Sequence, residues 1–106
     1  MVELIPEYKT KAVKLEKRIQ KDIVTWLKGD GFHVDVITKG MYGTNGIADI
    51  IACKDGRYIA IEVKRPGNKT TLLQERWLED VRDAGGIAFV AYSIQDVIAE
   101  FGKYNI

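Results

Sequence analysis

Asp55 and Gly56 stand between two short runs rich in Ile, Val and Ala. An Asp-Gly pair so flanked is a strong local signal for a tight β-hairpin, because both turn positions need positive φ angles that these residues tolerate. With the turn fixed there, counting outwards through residues 46–64 sets Lys54 against Arg57, Cys53 against Tyr58, Ile51 against Ala60 and Asp49 against Glu62. Side chains alternate between faces, so Asp49, Glu62 and Lys64 share one face while Ile50, Ile59, Ile61 and Val63 take the other. Directly opposed residues have Cβ atoms about 4.5–5.5 Å apart, and two carboxylates at that spacing repel. A cation between them removes the repulsion, and Mg²⁺, which prefers oxygen ligands and commonly uses one or two protein carboxylates, suits the pair. For an isolated Glu-x-Lys the ordinary reading is a solvated carboxylate paired with Lys64 or Arg65. The Asp on the neighbouring strand turns the reading towards a metal site.

The 106 residues are the size of one domain, and a hydrophobic content of 46% supports one modest core. Sixteen basic and fifteen acidic residues leave a net charge of +1, so any surface for phosphate must be local. The single Cys excludes an internal disulfide, and one Cys with one His cannot build a Cys/His zinc site. Cys53 is expected in the core, and His33 in a structural or surface role. The first residues lack the apolar core of a signal peptide, and no apolar run nears the ~18 residues of a membrane span. The expectation is a cytoplasmic protein without membrane contact and without a small organic cofactor.

Residues 1–9, with Pro6 and little periodicity, read as an N-terminal arm. From about residue 10 to 28 the pattern is helical and stops at Gly29-Asp30-Gly31. At about 100° per residue, Ala12, Leu15, Ile19, Ile23, Val24, Trp26 and Leu27 share a broad apolar face. The other face holds Lys11, Lys14, Lys17, Arg18, Lys21, Asp22, Thr25 and Lys28. Glu16 falls among the apolar side chains, and a buried carboxylate needs a partner, a metal or a proton. Either it reaches past a loosely packed helix start, or it points across the core to join Asp49 and Glu62.

Residues 32–38 alternate as a strand, and 39–46, with three glycines, form a loop. That loop either closes on a phosphate backbone, with Lys39 and Tyr42 in reach, or is simply a long turn. Residues 65–69 add Arg65 and Lys69 beside the acidic pair, as a solvated loop or as a contact for a passing phosphodiester. Thr71-x-x-Gln74 is a capping box opening a helix that ends at Gly85-Gly86, which alone accounts for Gln74. Residues 87–92 read as a strand covered on both faces, and Ser93 with Asp96 opens a last helix.

The residues Gly46-Ile47-Ala48-Asp49, the Asp-Gly hairpin, Glu62-Val63-Lys64 and a following helix with Gln74 resemble the VRR-NUC family of PD-(D/E)xK nucleases. The similarity runs from about residue 15 to 97. Most members have Pro before the Asp, where this chain has Ala48. The resemblance implies a restriction-endonuclease-like α/β fold, an αβββαβ core with a mixed central sheet flanked by helices, in a single domain over residues 1–106. It implies a metal-dependent deoxyribonuclease in which Asp49, Glu62 and the Val63 backbone C=O hold Mg²⁺ or Mn²⁺. Lys64 orients or deprotonates the attacking water or neutralises the oxyanion, Glu16 holds an outer-shell water on the metal or a second metal, and Gln74 lines the site. Stand-alone members look like Holliday-junction resolvases, so the implied partner is branched DNA, met as a homodimer in repair or recombination. Leu4, Ile5 and the last helix are candidates for the dimer surface. A non-catalytic DNA-binding or assembly module on the same fold, and a restriction-type enzyme reading a defined sequence, are the competing readings.

Overall fold

The computed structural model describes residues 7–38 and 46–106. Its elements are α1 (Glu7–Gly29), β1 (His33–Val36), β2 (Ile50–Lys54), β3 (Arg57–Val63), α2 (Leu72–Asp83), β4 (Ile87–Ala91) and α3 (Ile94–Lys103). They build one sheet in the order β1-β2-β3-β4. β1–β2 and β2–β3 pair antiparallel, the latter through the tight turn at Asp55-Gly56, while α2 carries the chain back so that β4 runs parallel to β3.

The hairpin has the register expected of it, pairing Lys54 with Arg57, Cys53 with Tyr58 and Ile51 with Ala60. Asp55 and Gly56 take φ angles of 52° and 78°, the left-handed pair of a type I′ turn. The ladder stops at Ile50 and Ile61. Beyond it the Asp49 backbone carbonyl turns to β1, accepting from Ile37 N–H at 2.8 Å.

Alternation along the strands divides the core. Ile50, Ala52, Ile59, Ile61, Val63, Phe89 and Ala91 face α1 and α3, against Ile19, Ile23, Leu27, Val97 and Phe101. Phe101 lies at its centre, with its ring 5.5 Å from both Trp26 and Phe32 and 6.3 Å from Phe89. On the other face Ala48, Ala60 and Ala88 leave room for α2 to approach closely through Leu78, with Trp77 and Val81 beside it.

Three expectations change. Helix α1 begins at Glu7 instead of near residue 10. Leu15 is exposed, as is Val13, because this end of α1 extends past the residues that cover the sheet. Cys53 is exposed instead of buried: α2 lies over β3 and β4, so the same face of β1 and β2 is left open around Cys53, His33 and Tyr58. No described helix is long and apolar enough to cross a membrane.

Candidate active site

The end of β3 assembles the residues that the register singled out. Asp49 stands just before β2, and its Oδ2 accepts a hydrogen bond from Val63 N–H at 2.8 Å. Glu62 shares the α2-facing side of the strand with Lys64 and is the one buried charged residue among those described, 2% exposed. Lys64 places Nζ 3.8 Å from Glu62 Oε1, and its own backbone N–H continues the pairing with β4 by donating to Ala91 C=O at 3.0 Å. In an extended strand the N–H and C=O of one residue point to the same side, so the Val63 carbonyl shares the flank of the Asp49 carboxylate.

Gln74 is both a helix cap and a site residue. Its Oε1 accepts from Thr71 N–H at 2.9 Å, while its own N–H donates to Thr71 Oγ1 at 3.2 Å, closing the capping box. The remaining amide group, Nε2, donates to Glu62 Oε1 at 3.3 Å. One side chain thus ties the start of α2 to the buried carboxylate.

Glu16 is placed differently. Its Oε1 accepts from Arg65 N–H at 3.4 Å and Asn68 Nδ2 at 3.3 Å, and lies 3.6 Å from the Arg65 guanidinium. Among the described residues no group of three His, Cys, Asp or Glu side chains comes close enough to hold a metal ion. Glu16 therefore clasps the turn after β3 and does not complete a three-carboxylate cluster. That turn, Arg65-Pro66-Gly67-Asn68, is closed by Asn68 N–H donating to Arg65 C=O at 3.1 Å. Pro66 second and Gly67 third, the latter at φ 87°, are the residues a type II turn favours.

Arg65 is half-buried against Glu16 and Lys69 is exposed. Lys39 and Tyr42 lie outside the described residues, as do Leu4 and Ile5.

Two contacts at the site were not foreseen by sequence reasoning. Asn68 was hidden in a polar turn; its Pro-Gly neighbours mark the turn, and nothing local marks Glu16 as its partner. Gly46 has φ 87°, and a Cβ there would come within 2.7 Å of Leu73 C=O, so the chain enters the site pressed against the first turn of α2. Ala48 is 1% exposed and belongs to the cluster around Leu78.

Residues 41–95 match the family model of the VRR-NUC domain. The chain belongs to the VRR-NUC family. The match includes Asp49, Glu62, Lys64 and Gln74, and α1 with Glu16 precedes it. A solved structure described as a VRR_NUC domain is 26% identical, with a TM-score of 0.72, covering 85% of this chain and 97% of the other. A second, described as a VRR_NUC domain protein, is 25% identical with a TM-score of 0.63, covering 84% and 86%. The chain also resembles Hjc, a Holliday junction resolvase from the archaeal hyperthermophile Archaeoglobus fulgidus, at 25% identity and a TM-score of 0.55, over 71% of this chain and 65% of that one. No curated protein matches it. This VRR-NUC chain thus has the restriction-endonuclease-like α/β fold of a nuclease family.

Proposed function

We propose that this VRR-NUC domain is a divalent-metal-dependent endonuclease that hydrolyses phosphodiester bonds in branched DNA, four-way junctions among them. The observation that carries the reading is the Asp49 carboxylate seated on the backbone of residue 63, beside the buried Glu62 and Lys64. The donor set is all oxygen: two carboxylates from adjoining strands and the Val63 carbonyl on the same flank. That set suits a hard cation such as Mg²⁺ or Mn²⁺, which keeps further positions for water and phosphate. When bound, the ion would lower the pKa of a coordinated water and stabilise charge on the phosphate.

The chain's own groups do the rest. Gln74 fixes the orientation of Glu62 through its amide. Lys64 supplies a cation beside that carboxylate, placed to orient the attacking water or to neutralise the oxyanion. Glu16 acts from outside this pair, holding Arg65 and Asn68 beside the site.

Branched DNA is favoured by the likeness to a junction resolvase and by the small size of the domain, which offers little surface for reading a sequence. A two-fold homodimer would present two such sites to two strands. Labelled four-way junctions, flaps, linear duplex and single strands, each incubated with Mg²⁺, Mn²⁺ or EDTA, test the proposal. Cutting should require the metal and favour the branched substrates. Binding without cutting under every condition would make the domain a non-catalytic module, and equal cutting of linear duplex at a defined sequence would make it a restriction-type enzyme.

A further inference from the structure

Charge is unevenly divided in this chain. Helix α1 holds seven basic residues and three acidic ones, a net charge of +4, whereas the whole chain carries +1. Lys14, Lys17, Lys21 and Lys28 recur at i, i+3, i+7 and i+14, which gathers them within about 60° of arc at 100° per residue. This row lies on the side of α1 away from Ile19, Ile23 and Leu27, and all four lysines are exposed. Arg18 flanks it. None of these five residues forms an ion pair among the described contacts.

Like charges at i, i+3 and i, i+4 repel one another along a helix, so the row destabilises α1 until a polyanion lies against it. From Lys14 to Lys28 it extends about 21 Å at 1.5 Å per residue, the length of about six base steps at 3.4 Å. A cleft of about 360 Å³ borders it, lined by Lys17, Lys21, Val24 and the edge-strand residue Val36.

Its position relative to the carboxylates decides what it can hold. Glu62 and Asp49 lie on the α2 side of the sheet, while the row is on the outer surface of the layer covering the opposite side. The two are linked at one point, because Glu16, between Lys14 and Lys17, is tied to Arg65 immediately after Lys64. With the sheet between them, a straight duplex lying on the carboxylates would not run along the outer face of α1. We infer that the outer face of α1, through Lys14, Lys17 and Lys21, binds the sugar–phosphate backbone of a second duplex arm that leaves the cleavage site. The inference rests on the proposed nuclease reading and makes branch recognition a property of α1.

Equilibrium binding without cleavage, in EDTA, tests it, using a fluorescent four-way junction and a linear duplex of the same arm sequence. Replacing Lys14, Lys17 and Lys21 together by Gln should weaken junction binding at least tenfold while changing linear-duplex binding less than threefold. The slope of log affinity against log salt for the junction should shrink by about 2.7, the value for three lost phosphate contacts. The triple Lys→Arg variant should restore both, and the far-UV circular dichroism of all variants should match the parent. Unchanged junction affinity would overturn the inference, as would an equal loss on linear duplex, which would place the row beneath the cut arm itself. Metal-dependent cutting by the parent with unchanged affinity in the Gln variant would sink this inference alone. Row-dependent junction binding with no cutting would instead sink the hydrolytic reading.

Discussion

Gln74 offers a way to separate the cap of a helix from the chemistry beside it. Gln74→Glu keeps an oxygen for Thr71 N–H but sets a second carboxylate against Glu62 in place of the Nε2 donor. Urea melts should show the larger loss for Gln74→Glu, about 1–3 kcal/mol, because its carboxylate repels the buried Glu62, while Gln74→Ala, which loses the cap's reciprocal bond and the donor but adds no charge, should cost about 1 kcal/mol. Junction cleavage should fall in both, and added Mg²⁺ should recover part of the lost stability only in the Glu variant. Asp49→Asn should abolish cutting and leave junction binding in place, because the amide keeps an oxygen for Val63 N–H but loses the charge; retained cutting would remove Asp49 from the mechanism. The clasp is open to a double-mutant cycle. Glu16→Ala and Asn68→Ala should each cost about 1 kcal/mol in the same melts, with the double variant costing less than their sum, since the bond they share is lost only once. What the sequence revealed at this scale was set by counting along one hairpin: Asp49, Glu62 and Lys64 follow from the position of the turn. Gly46 against Leu73, and Asn68 against Glu16, come from segments that meet only when the chain is folded, and no local pattern announces them.

Strands and helices were legible where their signals were short-range. The Asp-Gly turn fixed the β2–β3 register, and Thr71 and Ser93 marked two helix starts through their caps. Burial was harder to read, because it depends on how far a neighbouring element reaches. Cys53 sits in an apolar strand, yet α2 is too narrow to cover the half of the sheet that contains it. Native protein should therefore react with a disulfide reagent in full, one thiol per chain, at a rate close to that of the urea-unfolded protein; protection of the native thiol would contradict the open face. The opposite face should be unforgiving. Phe101 joins α1, β4 and α3 through three aromatic contacts, and Phe101→Ala should lower stability by about 3–5 kcal/mol in a urea melt.

The Cα radius of gyration is 14.6 Å, with extents of 52 × 26 × 23 Å, against about 13 Å for a compact domain of this length. A sequence with nearly balanced charge gives no hint of such an outline, nor of the segregation of its lysines onto one long helix. Ion binding can be followed at the same scale. Both core clusters are apolar and independent of any metal, so EDTA should leave the melting temperature unchanged while Mg²⁺ raises it through preferential binding to the folded state. Asp49→Asn should erase that rise.

The hairpin tip is about five residues from the carboxylates, about 17 Å along β2, and it has no part in the chemistry. It nevertheless governs which way every side chain on two strands looks. Point changes at Asp55 should cost stability and leave catalysis intact. Lengthening β3 by a single residue, with the pairing renewed one step out of phase, would send the Glu62 carboxylate into the grease beneath α1 and bring Ile61 or Val63 out in its place. A lineage of such nucleases can thus exchange residues at this tip for a loss of stability alone, while the length of the adjoining ladder stays locked.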